Sequence, residues 1–225
     1  MPRRALIERR PWLLTSILLA LAVVWLQDSR LPGVYLMTLK AAPLALLAVY
    51  AMLRHKGRDS QLLAAMLVFQ GVGAALSGLA ETLAAVMVAV GFTLGIGLFL
   101  MHRRERLSVS QMSLAVTLLL LTPVICQLAV QPAVGAGWAP VYFGAALGGM
   151  AACAWTSRFP RYRVGLGALV IVAGNIAALS SLHVINGPGL GETLGWPLFY
   201  LGNLILATGV TGELRARAAA WRQGF

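Results

Sequence analysis

The chain has 225 residues, of which 59% are hydrophobic and only 11% are charged. Because a soluble globular domain carries about 25% charged residues, this composition excludes an ordinary soluble domain. Lipid leaves no water to satisfy a bare backbone, so the apolar blocks must be helical. A membrane β-barrel is excluded as well, since its strands alternate apolar and polar residues, whereas Leu118 to Leu121 form an unbroken apolar run. The sequence therefore predicts an all-α, polytopic membrane protein.

In chain order, the apolar blocks predict eight transmembrane helices, since about 20 helical residues cross a hydrocarbon core of about 30 Å. The predicted helices lie near residues 12–26, 34–53, 62–80, 83–101, 112–130, 141–156, 164–184 and 194–210. Glu81 and Thr82 are predicted to form a very short turn between the third and fourth helices. The first block is predicted to be retained rather than cleaved, because Trp25 to Asp28 lacks a small-residue cleavage pattern. Residues 1–225 are predicted to form a single transmembrane domain.

The net charge of +11 raises the question of nucleic-acid binding, and the positions of the charges answer it. Sixteen of the 18 Lys and Arg residues lie within residues 3–10, 54–58, 103–106, 158–163 and 215–222. The intervening loops carry only Arg30. This alternation follows the positive-inside rule, which predicts that both termini are cytoplasmic. The sequence favours a multi-pass protein of a bacterial inner membrane, with no nucleic-acid partner.

Acidic residues are absent from the middle of every predicted helix. All seven lie at helix ends or in loops: Glu8, Asp28, Asp59, Glu81, Glu105, Glu192 and Glu213. A proton-coupled transporter usually needs an ionisable relay at mid-membrane, so this distribution disfavours such a transporter. It also disfavours catalysis by paired carboxylates.

A few other polar residues do fall within the predicted helices, where burial is costly. They are Lys40, Gln70, Gln127, Asn175, His183 and Asn203. Lys40 either extends toward the outer headgroups or binds an anion in a cavity that faces lipid phosphate. The amides either join helices to one another or form a binding site. No His and Cys cluster predicts a metal, and no cofactor is predicted.

Small residues recur at four-residue spacing, which permits close contact between helices in lipid. The pairs are Gly73/Ser77, Gly91/Gly95, Gly144/Gly148 and Ala173/Ala177. Together with the short loops, they predict one compact helical bundle.

Six collinear motifs between residues 35 and 210 resemble those of one membrane-protein family. The motifs are Leu39–Pro43, Phe69–Ala74, Gly95 through Phe99 to His102, Tyr142 with Met150, Gly167–Asn175, and Tyr200–Ile205. In this order they resemble the YhhN/TMEM86 family, whose characterised members are lysoplasmalogenases. The resemblance implies an eight-helix fold. It also implies hydrolysis of the vinyl-ether bond of lysoplasmalogens to a fatty aldehyde and a glycerophospho-alcohol.

That reaction needs one group to protonate the enol-ether carbon and another to direct water, a task suited to two intramembrane aspartates. The two family aspartates align with Ala74 and Asn175, so the resemblance implies a scaffold that has lost both acids. We therefore expect lipid binding or sensing in an intramembrane cavity, with little or no hydrolysis and unknown catalytic residues. The implied ligand-binding residues are Lys40, Gln70, Asn175, Tyr200 and Asn203.

Three of these residues, Lys40, Asn175 and Asn203, are predicted to share a cavity open toward the outer leaflet. The expected partners are membrane lipids, among them a lysophospholipid. Two alternatives stay open: a divergent lysoplasmalogenase-type hydrolase that uses other groups, and a transporter of lipids or small solutes. Glu81 is the nearest carboxylate to Ala74 in sequence and is the candidate substitute acid in the hydrolase alternative.

Overall fold

A computed structural model describes residues 10–26, 33–130, 137–180 and 190–223 and is 89% helical. Its α-helices are α1 Arg10–Leu26, α2 Gly33–Arg54, α3 Arg58–Leu76, α4 Glu81–Met101, α5 Val109–Ala129, α6 Ala139–Thr156, α7 Leu166–Ser180 and α8 Leu190–Gln223. A π-helical turn, Arg161–Gly165, leads directly into α7. Within these ranges there is no strand, only an isolated bridge between Arg103 and Ser157. The all-α prediction is confirmed.

Six of the helices are long and apolar enough to cross a membrane: α2, α3, α4, α5, α7 together with its π-helical turn, and α8. The shorter α1 has 17 residues and is also apolar. The 18-residue α6 contains three glycines, which lower its hydropathy. The chain is thus a multi-pass membrane protein. The count of eight spans and the cytoplasmic placement of both termini stay predictions.

Two predicted boundaries are wrong, for different physical reasons. The turn between α3 and α4 lies at residues 77–80, and Glu81 is already the first residue of α4. A carboxylate in the first helical turn is favoured by the helix dipole, whereas Ser77 and Gly78 are poor helix formers. The last helix continues beyond residue 210 to Gln223, because its later residues are mainly Ala, Arg and Glu. His183 lies outside the described residues.

The chain divides into two compact units. Unit 1 comprises Met1–Leu94 and Ala207–Phe225, and unit 2 comprises Gly95–Leu206. In unit 1, a Cβ atom built on Gly71 would lie 3.3 Å from the Cβ of Leu44, so α2 and α3 approach closely. The buried Ser16 of α1 donates a hydrogen bond of 2.7 Å to the carbonyl of Pro43 in α2. The single-domain prediction stays untested.

Small residues set the helix spacing of unit 2 as well. Gly144 packs on the backbone of Pro123, and Gly148 packs on the carbonyl of Leu118, so this predicted pair does join α5 to α6. The predicted pair in α7 is displaced by one residue. Ala173 is exposed, and the neighbouring Gly174 makes the close contact instead.

Candidate functional site

The α7–α8 pair of unit 2 carries three of the five predicted ligand-binding residues, and glycines bring its two helices together. A Cβ atom on Gly202 would lie 2.7 Å from the carbonyl oxygen of Gly167. A Cβ atom on Gly174 would lie 2.6 Å from the backbone nitrogen of Phe199. Only hydrogen fits at either position, so the backbones approach each other directly. Because Gly167 meets Gly202 while Gly174 meets Gly195 and Phe199, the helices are antiparallel.

Asn175, Tyr200 and Asn203 lie on the same side of this pair. Asn175 follows the contact residue Gly174 by one position, and Tyr200 and Asn203 follow Phe199 and Gly202 in the same way. Successive residues of an α-helix are rotated by about 100° around the helix axis. In two antiparallel helices that face each other, this rotation turns both sets of side chains to one side.

Burial supports this assignment. The side named here the buried flank consists of Ala168, Val172 and Asn175 on α7 with Trp196, Tyr200 and Asn203 on α8, all buried or half-buried. The opposite side carries exposed residues on both helices: Leu166, Ala173, Leu194 and Leu201. The buried flank is therefore the interior side of the α7–α8 pair, and the opposite side is suited to lipid.

The two asparagines of the buried flank use their amide nitrogens locally. Nδ2 of Asn175 donates to the carbonyl of Ile171 at 2.8 Å, and Nδ2 of Asn203 donates to the carbonyl of Phe199 at 3.0 Å. Each bond stays within one helix, so neither of them joins two helices. The Asn203 side chain is fully buried, and its Oδ1 has no hydrogen-bond partner among the described residues. That oxygen is an acceptor with an unused lone pair.

Trp196 is a further member of the buried flank that was not predicted from the sequence. Its Nε1 is buried without a hydrogen-bond partner in the described part of the chain. The indole ring stands edge-on to the Tyr200 ring, with 5.5 Å between centroids. Trp196 and Asn203 thus place an unpaired donor and an unpaired acceptor about 10 Å apart along one helix. The spacing of Trp196, Tyr200 and Asn203 at i, i+4 and i+7 was the available signal.

Gln70 is the corresponding feature of unit 1. It lies on α3 where that helix meets α4, and a Cβ atom on Gly91 would lie 2.9 Å from its Cγ. Gly91 therefore makes the space that the glutamine side chain occupies. Gln70 is fully buried, and neither Oε1 nor Nε2 has a hydrogen-bond partner among the residues that the structure describes.

Lys40 is half-buried in α2 and does take part in an interaction with its surroundings. Lys40 and Gln70 belong to unit 1, whereas Asn175, Tyr200 and Asn203 belong to unit 2. The structure thus brings together the last three. The cavity predicted to join Lys40 with Asn175 and Asn203 stays a prediction.

Acidic side chains are absent from the buried flank as far as the described side chains show. Glu81 is exposed at the start of α4, so it does not continue the helix that carries Ala74. Glu105 is exposed and pairs with Arg158 at 2.9 Å, and Glu213 pairs with Arg217. Asn175 itself cannot exchange a proton near neutral pH.

An apolar groove lies elsewhere, on α1. It measures about 370 Å³ and is lined by Leu21, Ala22, Val24 and Trp25. Its lining is almost entirely carbon and includes none of the predicted site residues, so it offers no polar chemistry.

Comparisons with protein-family models, with curated proteins and with solved structures find no match to this chain. The family resemblance described above stays a prediction that rests on the motifs alone.

Proposed function

We propose that this multi-pass membrane protein binds the polar part of a lipid at neutral side chains buried among its helices, without hydrolysing it. The central elements are Trp196 and Asn203 on the buried flank, with Tyr200 and Asn175 beside them. Gln70 offers a second neutral amide in unit 1. We place both termini in the cytoplasm, which the alternation of the cationic loops favours, and the protein itself in a bacterial inner membrane.

The observation that carries the proposal is the unpaired donor and acceptor on α8. Nε1 of Trp196 and Oδ1 of Asn203 are both buried without a hydrogen-bond partner among the described residues. Leaving such a group unpaired costs about 1–3 kcal/mol. Both atoms are enclosed by the protein, so a ligand reaches them only when neighbouring side chains move aside. A ligand that then accepts from the indole N–H and donates to the amide oxygen recovers part of that cost. Apolar side chains around the two groups suit the rest of an amphiphile.

Lipids match these requirements by their chemistry. A lipid carries hydroxyl, ester and ether oxygens distributed from its glycerol backbone into its headgroup, over the roughly 10 Å that separates the two groups, and its acyl chain suits an apolar environment. Neutral binding groups favour this uncharged part of the molecule over a phosphate, which takes charged partners. Membrane lipids are also the most concentrated amphiphiles around helices that span a bilayer.

The same residues argue against hydrolysis. A positioned acid or base accelerates proton transfer by about 100- to 10,000-fold. Asn175 and Ala74 can supply neither, and among the described side chains no carboxylate lies on the buried flank. The polar groups that remain can hold and orient a lipid, but they cannot protonate a vinyl ether.

Lipid retention tests the proposal. The protein is purified in mild detergent, and its bound lipid is extracted and counted by mass spectrometry. We expect about one retained lipid per chain, and at least a tenfold weaker retention in Trp196→Phe combined with Asn203→Leu, because two hydrogen bonds of about 1 kcal/mol each are lost.

Trp138→Phe is the matched control, since Trp138 belongs to the same unit but is 74% exposed. Equal retention by the double variant and by the control would contradict the proposal. So would a wild-type protein that carries no lipid after the same purification.

A further inference from the structure

Two connecting segments of unit 2 are joined into one surface. The first, residues 102–108, links α4 to α5, and the second, residues 157–163, leads from α6 into the π-helical turn that precedes α7. The backbone N–H of Arg158 donates to the carbonyl of His102 at 2.7 Å, and the backbone N–H of Arg104 donates to the carbonyl of Thr156 at 3.2 Å. Nε of Arg104 also donates to the carbonyl of Ser157 at 2.9 Å. We name these two joined segments the arginine clasp.

A buried aromatic residue, Phe159, packs the clasp against the end of α4. Phe159 is fully buried, with its ring centroid 6.1 Å from that of Phe99 and 5.0 Å from that of His102. Its backbone N–H donates to Oγ of Ser157 at 3.3 Å. The second segment is therefore held to the end of α4 by packing as well as by backbone hydrogen bonds, so the backbone from which its arginines extend is held in place.

The clasp is strongly cationic. It contains six arginines, no lysine and a single acid: Arg103, Arg104, Arg106, Arg158, Arg161, Arg163 and Glu105. Arg104 is committed to the Ser157 carbonyl, and Arg158 is paired with Glu105. The other exposed arginines, Arg103, Arg106 and Arg163, form no ion pair with a described residue.

We propose that the arginine clasp binds the phosphate groups of anionic phospholipids at the membrane surface. A guanidinium donates two parallel hydrogen bonds to a phosphate, which a lysine cannot do. The clasp lies at the ends of four helices, α4 to α7, and cationic loops at the ends of membrane helices are expected at the depth of the lipid headgroups. Tyr162, 91% exposed between Arg161 and Arg163, fits the same layer, where tyrosine is enriched.

Membrane topology alone does not account for this arrangement. The positive-inside rule requires only that cations occupy a loop, and free loops satisfy it equally well. Here two loops that are 53 residues apart in sequence are joined to each other by backbone hydrogen bonds and by the Arg104 side chain. The joining holds arginines from both loops at set positions, as recognition of a particular headgroup requires.

The proposal predicts a large, local effect of charge removal. Each charge-assisted hydrogen bond between a guanidinium and a phosphate strengthens binding by about tenfold or more, and one phosphate accepts at least two of them. Removing Arg103, Arg106 and Arg163 should therefore weaken binding by about 100-fold. Salt should weaken binding too, since exposed charges are screened over about 8–10 Å at physiological ionic strength.

Native mass spectrometry of the detergent-solubilised protein measures the effect, with dioleoyl phosphatidylglycerol as the anionic probe and dioleoyl phosphatidylcholine as the neutral one. The test variant combines Arg103→Gln, Arg106→Gln and Arg163→Gln. The matched control combines Lys56→Gln, Arg58→Gln and Arg215→Gln, which removes the same charge from three exposed positions of unit 1. Thermal unfolding checks that both variants are folded. If the triple test variant is not folded, the double variant Arg103→Gln with Arg106→Gln replaces it.

We expect phosphatidylglycerol binding to fall about 100-fold in the test variant and less than threefold in the control, with phosphatidylcholine binding unchanged. An equal loss in both variants would show diffuse charge attraction and overturn the proposal. Equal binding of the two lipids by the wild type would overturn it as well. A third contrary result is displacement of the lipid by millimolar inorganic phosphate, because it would mark a site for a free anion.

Discussion

Gly202 is one of the glycines that let α7 and α8 approach closely, so its replacement by alanine should disturb the buried flank directly. A Cβ atom there would lie 2.6 Å from Cγ1 of Ile171 and 2.7 Å from the carbonyl oxygen of Gly167. Ordinary contact begins near 3.4 Å, so the two helices must separate by about 0.7 Å. The clash involves backbone atoms on α7, which cannot rotate away as a side chain can.

Overpacking of this kind costs about 1–3 kcal/mol, and alanine regains up to about 1 kcal/mol through its helix propensity. Because the clash is with backbone atoms, the upper part of this range, about 2–3 kcal/mol, applies, and the net loss for Gly202→Ala is about 1–2 kcal/mol. At about 2–4 °C for each kcal/mol in a chain of this size, the melting temperature should fall by about 2–8 °C. Thermal unfolding of the purified protein in detergent measures the change.

Gly97→Ala is the matched control for this prediction. Gly97 also lies in a helix of unit 2, but a Cβ atom built there meets nothing within 4 Å. Its replacement should leave the melting temperature unchanged or raise it slightly, by the gain in helix propensity alone. If Gly202→Ala and Gly97→Ala melt at the same temperature, the α7–α8 packing described above is wrong.

Three further predictions concern catalysis, topology and the clasp. In an aldehyde-release assay on 1-alkenyl lysophospholipids, the unmodified protein should show little or no turnover. Activity that appears only in Ala74→Asp combined with Asn175→Asp would support a silenced hydrolase scaffold, whereas robust wild-type activity would refute the binding proposal. A periplasmic phosphatase joined after Ala136 should be active and one joined after Arg104 should be silent, and the reverse pattern would defeat the proposed topology. Phe159→Ala should lower the free energy of unfolding by about 3–5 kcal/mol, because a buried ring that packs against the clasp is lost. Thermal unfolding measures the change, and an unchanged melting temperature would contradict the anchoring role of Phe159.

Apolar length predicted the helices well, because a bilayer demands about 20 apolar residues of any helix that crosses it. The errors arose where that demand ends. Ser77 and Gly78 are small and uncharged, so they do not interrupt the apolar pattern, but both have low helix propensity and α3 ends just before them. At the other extreme, α8 continues through charged residues to Gln223, where helix propensity and the Glu213–Arg217 pair support it without lipid.

The candidate site was predicted in part. Asn175, Tyr200 and Asn203 were identified because polar groups are costly in a membrane helix. Their common side could not be derived from α8 alone, since it depends on which glycines of α7 and α8 meet. Trp196 was missed because tryptophan counts as apolar in a hydropathy pattern, and its unpaired Nε1 is visible only in three dimensions.

Photocrosslinking at Val172 tests the central claim most directly. Val172 lies on the buried flank, whereas Leu201 lies on the exposed opposite side of the same helix pair. A photoreactive diazirine analogue of leucine is placed at one of these positions, and the protein is washed in detergent before illumination. We expect the probe at position 172 to capture a retained lipid and the probe at position 201 to capture only detergent. Capture of protein segments alone at position 172 would show that the buried flank is filled by the chain itself, and would contradict a lipid site there.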